Sequence, residues 1–334
     1  MRIAELNKIA KKRKLDEVLV INQANVRALT GVNCDNAVLT LDTFYTDFRY
    51  VPMVHRVSPE LKCRDLKHLE YKRAKRIGFE GSISHARFLA LKKHAPRAQF
   101  VDISKDLSSL RAVKTAEEIE KLRASERLTC DIWNEASAKF KPGMTELQMA
   151  RIIKMMMIER GEGEAFDTIV CVGKNAAECH HEPDDTVWNG RDPILVDMGV
   201  KLNGVCSDMT RNLKPKRKGG LYEQIYQLVL KANLAAIKAA KPGITCKALD
   251  KIARDIIRKG GYGKYFGHSL GHGVGYEIHE APTVSKLGEM VLKPGMLITI
   301  EPGIYLEGNL GVRIEDLVLI TDDGCEVLSA SSAK

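Results

Sequence analysis

Aromatic residues are scarce in this chain, at 6% with only 2 tryptophans. No aromatic-interleaved or glycine-rich RNA signature accompanies its cations, so nucleic acid is not expected as a partner. No apolar run reaches the length of about 18 residues that a membrane helix needs, so no membrane association is expected. The opening MRIAELNKIAKKRKLDEVLV carries charges every few residues and lacks a continuous apolar stretch, so a secretory signal is not expected. None of the 8 cysteines (Cys34, Cys63, Cys130, Cys171, Cys179, Cys206, Cys246, Cys325) forms a CxxC pair. Zinc ribbons and thioredoxin chemistry are thereby disfavoured, and reduced thiols in a cytoplasmic protein are expected.

What is present reads as a globular protein, with 44% hydrophobic and 28% charged residues. A length of 334 residues suits two domains of ordinary size. The net charge of +9 is uneven. Residues 1–114 hold 23 Lys+Arg against 12 Asp+Glu, and the remainder holds 29 against 31. The basic runs KKRK at 11–14 and KHLEYKRAKR at 67–76 read as exposed helical faces rather than as a binding patch.

The first third alternates helical and strand-like stretches. An amphipathic helix (Ile3, Leu6, Ile9, Ala10) precedes VLVI, AVLTL, FYTDFRY, RIGFEG and FVDI, with the helical SHARFLALKKHA between the last two. A domain boundary at 113–115 is expected, giving an N-terminal α/β domain over 1–114 and a second domain over 115–334. Thr115-Ala-Glu-Glu118 is a capping box that opens a helix to about Phe140. The second domain contains an internal echo. Phe140-Lys-Pro-Gly-Met-Thr145 and Ala240-Lys-Pro-Gly-Ile-Thr245 each open a helix that ends in glycine and leads into strand-like sequence. Two related α/β halves about a pseudo-twofold are expected. Met155, Met156 and Met157 read as core filling.

Acids and histidines cluster in this second domain. Asp197 and Asp208 flank a glycine-containing turn between apolar runs, and Glu301 and Glu315 repeat the device around EGNLG. Paired positions on a hairpin can share one face. Asp197, Glu301 and Glu315 interrupt runs of the kind that are usually buried. Four buried carboxylates cannot all stay ionised without cations, and two divalent ions would balance them. His180 and His181 lie in NAAECHHEPDD; in an extended segment only one of them can face a site. His268, His272 and His279 lie in GHSLGHGVGYEIHEAP. Gly267, Gly271, Gly273 and Gly275 exclude a helix there and are expected to let the backbone pass close to a metal or substrate. Oxygen ligands with one imidazole suit Mn²⁺, placed first, or Co²⁺, Fe²⁺ or Zn²⁺. The residues alone lead to a dinuclear metal hydrolase.

At these positions the chain resembles the pita-bread metallopeptidases, in the branch of Xaa-Pro aminopeptidase (aminopeptidase P) and prolidase. The matching segments are FDTIVCVGKNAAECHHEPDD, LVDMGVKLNGVCSDMTRNL, FGHSLGHGVGYEIHEAP, LITIEPGIY and GVRIEDLVLIT, with RAVKTAEEIEKLR and ALTG…YTDFRY before them. The resemblance implies a creatinase-like N-terminal α/β domain followed by an α+β pita-bread catalytic domain. It implies Asp197, Asp208, His272, Glu301 and Glu315 as ligands of two divalent ions, Asp208 and Glu315 being shared between them. Glu301 would also exchange a proton with the attacking water. His180, His268 and His279 would hold the substrate carbonyl and stabilise the tetrahedral intermediate, and Arg313 would orient the site through an acidic partner. His181 is by this alignment a neighbour without a role.

Two positions depart from the pattern. Gly204-Val-Cys-Ser-Asp208 lacks a family tyrosine, and Thr283 stands after HEAP where several prolidases have an arginine for the substrate carboxylate. Thr283 therefore favours release of the first residue from longer peptides with proline second, with the Xaa-Pro dipeptidase as alternative. Methionine aminopeptidase and creatinase-like relatives fit less well, because of the first domain and the complete ligand set. A non-catalytic pita-bread binding protein is the reading from a different class. Small peptides are the expected partners, with a homodimer as the expected assembly.

Overall fold

The computed structural model describes residues 2–214 and 219–334. The chain forms two compact units, the first ending at Arg111 and the second spanning Ala112–Lys334. The first unit runs α1 (Ile3–Arg13), β1 (Glu17–Leu19), α2 (Gln23–Thr30), β2 (Ala37–Leu39), β3 (Phe44–Thr46), α3 (Val51–Val57), β4 (Cys63–Asp65), β5 (Arg76–Phe79), α4 (His85–His94), β6 (Gln99–Asp102) and α5 (Ser104–Ala112). Strands β1, β5 and β6 form a parallel sheet in that order. Strands β2, β3 and β4 form a mixed one. Leu6 of α1 packs in a core with Val18, Val26, Leu39, Phe44 and Leu107. The stretch 67–76 departs from the expected helix: a 3₁₀ turn over Leu66–His68 is followed by an irregular segment and the start of β5. Tyr71 is buried there and Leu69 and Ala74 pack beside it, so the irregular segment buries its apolar residues without helical spacing.

The second unit runs α6 (Ala116–Lys139), α7 (Glu146–Arg160), β7 (Ile169–Val172), β8 (Ile194–Met198), β9 (Lys201–Leu202), β10 (Val205–Cys206), β11 (Met209–Leu213), α8 (Gly220–Ala239) and α9 (Cys246–Lys259). It continues through β12 (Gly271–Gly273), β13 (Glu280–Val284), β14 (Leu297–Ile300), β15 (Gly303–Leu306), β16 (Leu310–Arg313), β17 (Asp316–Ile320) and β18 (Cys325–Val327). The Thr115 capping box forms, with Glu118 N–H donating to Thr115 Oγ1 at 3.2 Å and Thr115 N–H to Glu118 Oε2 at 2.7 Å. Thr145 and Thr245 cap α7 and α9 in the same way with their hydroxyls.

Each echo becomes half of this unit. In one, α6 and α7 bury Ile132, Trp133, Met149, Ile153 and Met157 against Val170, Val196 and Met209 of the antiparallel sheet β11-β8-β7. In the other, α8 and α9 bury Ile225, Val229, Leu249, Ala253 and Ile257 against Ile298, Ile300 and Val318 of the sheet β13-β12-β14-β17-β18. Met156 and Met157 fill the core, whereas Met155 is 54% exposed, one residue off the buried stripe. Among the described residues no helix is long and apolar enough to cross a membrane, and all eight cysteines are unpaired.

Candidate metal centre

The same device builds the acidic cluster twice. Strands β8 and β11 pair antiparallel, with Asp197 opposite Thr210. Between them, β9 and β10 form a small ribbon turned by Asn203-Gly204, both at positive φ, as a tight hairpin demands. Asp208 stands just before β11, two residues from Thr210, and so shares the face of Asp197. In the second half β14 and β17 pair with Ile300 opposite Asp316, and the ribbon β15–β16 fills the gap. Glu301 leaves β14 and Glu315 enters β17, both at the junction between ladder and ribbon.

His272 comes from β12, beside β14. The two glycines flanking it serve the sheet rather than a ligand, contrary to the expectation from sequence. A Cβ at Gly271 would lie 2.0 Å from the Thr299 carbonyl oxygen, and one at Gly273 would lie 2.2 Å from that of Ala281. Only bare backbone lets β12 sit between its neighbours. His272 Nδ1 lies 3.0 Å from the Gly273 carbonyl oxygen, which can only accept, so Nδ1 carries the proton. Its Nε2 lone pair then faces Asp208 Oδ2 and Glu301 Oε1, each at 3.5 Å.

That arrangement is repulsive without a cation. Burial and then the nearby carboxylates, Glu315 first, push the Asp208 carboxyl well above its usual range. Burial and then Asp197 do the same to Glu315. The Glu301 carboxyl is pushed up to about 8, with burial the main cause and Arg313 opposing it. Burial pushes His272 down to about 4, so its imidazole is neutral at pH 7. Asp197 Oδ1 is buried without a hydrogen-bond partner. Asp208, His272 and Glu315 each offer one ligand atom within 4.8 Å of one another. Oxygen donors, one neutral imidazole and an orphaned carboxylate oxygen together fit divalent cations.

Arg313, on β16, links the two halves. Its Nη2 donates to Asp197 Oδ2 at 2.6 Å, its Nε to Thr210 Oγ1 at 2.9 Å and its Nη1 to Tyr305 Oη at 3.0 Å. Thr210 in turn donates to Glu315 Oε2 at 2.8 Å. Tyr305 Oη lies 2.9 Å from His268 Nε2, and His268 Nδ1 lies 2.8 Å from the Ser269 carbonyl oxygen. Both ring nitrogens of His268 are therefore engaged. Its pKa is pushed down to about 4, chiefly by burial, so Nε2 accepts from the tyrosine. His180 and His279 are exposed, and the His279 ring packs edge-on against His272 at 4.4 Å. Thr210 and Tyr305 carry no role in the reading from sequence. Strand alternation from Asp208 could have found the first, and the second lies in the segment LITIEPGIY without an acid or imidazole to mark it.

Helix α9 braces the glycine-rich segment. Arg254 pairs with Asp250 at 2.7 Å and donates to the carbonyls of Phe266 and His268, each at 2.8 Å. Asp250 Oδ1 accepts from Leu270 N–H at 3.2 Å.

The comparisons with known proteins agree with this geometry. Residues 120–322 match metallopeptidase family M24, and residues 2–113 match the creatinase/prolidase N-terminal domain. The chain is 36% identical over 338 residues to an Xaa-Pro dipeptidase of Pyrococcus furiosus, covering 98% of this chain and 97% of that one. Its structure is similar to an Xaa-Pro dipeptidase from Bacillus anthracis, with a TM-score of 0.94, 31% identity and coverage of 100% and 98%. It is also similar to an X-Pro aminopeptidase from Thermotoga maritima, with a TM-score of 0.86, 31% identity and coverage of 96% and 97%. The architecture is thus the creatinase-like domain followed by the pita-bread domain, and the chain belongs to metallopeptidase family M24.

Proposed function

We propose that this metallopeptidase hydrolyses the bond between a first residue and proline, with Xaa-Pro dipeptides as its preferred substrates. The observation that carries the reading is the neutral His272 imidazole aimed into four clustered carboxylates inside an M24 domain. We assign Asp197, Asp208, His272, Glu301 and Glu315 as ligands of two divalent ions, which when bound would activate water and polarise the scissile carbonyl. A peptide bond to proline has no N–H, and nothing in this donor set requires one. Glu301 takes the role of proton exchange with the attacking water. His279, packed against His272, and the exposed His180 take the substrate carbonyl and the departing proline nitrogen. Arg313 holds Asp197 and, through Tyr305, fixes the tautomer of His268.

The dipeptide preference rests on two of the relatives, one from Pyrococcus furiosus and one from Bacillus anthracis, each named an Xaa-Pro dipeptidase. It reverses the order expected from Thr283. The aminopeptidase reading keeps one supporting observation. Thr283 pairs in register with His272, so it shares the metal-facing side of the sheet and brings no charge there for a substrate carboxylate. Cleavage of Ala-Pro and Ala-Pro-Ala after metal reconstitution separates the two. Hydrolysis of Ala-Pro in preference supports the dipeptidase, and hydrolysis of the tripeptide alone supports the aminopeptidase. Activity on neither defeats the Xaa-Pro assignment.

A further inference from the structure

His181 has no part in the roles assigned above, yet it is among the most tightly held side chains of the second unit. His180 and His181 lie in a turn, not in an extended stretch, and they face different surroundings. His180 is exposed. His181 is 9% exposed and its Nε2 lies 2.7 Å from Glu146 Oε2. Glu146, the first residue of α7, is fully buried. Its carboxylate gathers the whole loop between β7 and Asp184. Oε1 accepts from Val172 N–H at 2.5 Å and Asn175 Nδ2 at 3.0 Å, and Oε2 accepts from Asp184 N–H at 3.1 Å besides His181. The α7 N-terminus adds Leu147 N–H to the Asp184 carbonyl at 3.1 Å. On the other side of His180, the Cys179 carbonyl accepts from Arg313 Nη1 at 3.4 Å. The residues before and after His180 are therefore tied to two different anchors.

We propose that His181 is a positioning residue that, through Glu146, fixes the 172–184 loop and so sets where His180 meets the substrate. The inference rests on the reading of His180 as a substrate-contacting imidazole. Glu146, His181 and Asp184 also have the spacing of a cation site. The N–H groups of Val172, Asn175 and Asp184 occupy the Glu146 oxygens, however, and their positive ends point where a cation would sit. The cluster is a closed hydrogen-bonded network. Burial disfavours the charged imidazole, but the hydrogen bond and charge of Glu146 outweigh it, with Glu178 and Asp184 adding to the same side. The other half of the unit uses the same solution. There α9, the counterpart of α7, holds the His268 segment with Asp250 and Arg254.

The test is a double-mutant cycle on the metal-loaded protein, paired with hydrogen exchange. His181→Ala is expected to lower kcat/KM for the Xaa-Pro substrate by about 10- to 100-fold, the scale of a misplaced reacting group. In a His180→Ala background the same change is expected to cost less than about 2-fold, because its effect runs through His180. His181→Gln, which keeps a donor toward Glu146, is expected to restore most of the loss. The amides of Val172 and Asp184 are expected to exchange faster in His181→Ala, with metal content unchanged. Glu146→Gln carries the same cycle should His181→Ala not fold. Equal losses with and without His180, or unchanged exchange at both amides, overturn the proposal. If the wild-type protein cleaves no Xaa-Pro substrate, the function fails on its own account and the exchange measurement still judges the anchor.

Discussion

Stripping the metal is expected to make stability fall with rising pH in a window that the site itself defines. Glu301 has an ordinary carboxyl value of 4.5 and is pushed up to about 8, mainly by burial. A carboxyl that binds its proton more tightly in the folded state favours folding only while protonated. The stabilisation is complete below the unfolded value, is lost as pH climbs toward the folded one, and is gone above about pH 8. For Glu301 alone the whole displacement is worth on the order of 5 kcal/mol, of which about 2 kcal/mol is left to lose above pH 6.5. Asp208 and Glu315 move in the same direction. A loss of this size is comparable with the whole stability of many domains, about 5–15 kcal/mol. His268 and His272, pushed down to about 4, act oppositely but only below about pH 6.5. The clean window is therefore pH 6.5 to 8.5. His181, raised by Glu146, and Glu126, pushed up to about 8 by burial, also lose stabilisation there. Neither is assigned as a ligand, so the difference between stripped and loaded protein removes them. The assay is thermal unfolding of chelated and reconstituted protein across that window. The gap in Tm is expected to widen as pH rises from 6.5 to about 8. A gap that stays constant or narrows refutes the electrostatic reading of the cluster.

Two further outcomes follow from individual contacts. Lys114 and Glu280 form a pair at 2.8 Å with side chains 3% and 1% exposed. Lys114→Met takes the cation away from a buried carboxylate, and a loss of about 3–5 kcal/mol in urea unfolding is expected; a loss under about 1 kcal/mol would contradict the burial argument. Thr283→Arg places a guanidinium opposite His272 and is expected to raise kcat/KM on Ala-Pro relative to Ala-Pro-Ala by about 10-fold, the value of about 1.4 kcal/mol. No change in that ratio shows that position 283 does not meet the substrate carboxylate.

Much of this molecule is legible in its sequence because its signals are local. The Thr115, Thr145 and Thr245 caps start helices where their hydroxyls meet the third residue on. The two hairpins announce themselves as acids interrupting apolar runs. The long α8 carries a helical period in Ile225, Val229, Ala232 and Ala236, which a reading centred on acids and histidines passes over. The misassigned parts depend on packing between distant segments. Glycines 271 and 273 look like a ligand approach, and only the register of β12 with its neighbours shows what they clear. Tyr305 and His181 gain meaning from partners 37 and 35 residues away, which no spacing rule connects.

Counting bound metal reaches the core of the account. Purified protein reconstituted with Mn²⁺ or Co²⁺ and freed of excess ion is expected to hold two ions per chain by elemental analysis. Asp208→Asn is expected to lose bound metal together with turnover. Wild-type protein that takes up none, or an Asp208→Asn variant that keeps both metal and activity, contradicts the assignment of these carboxylates as ligands.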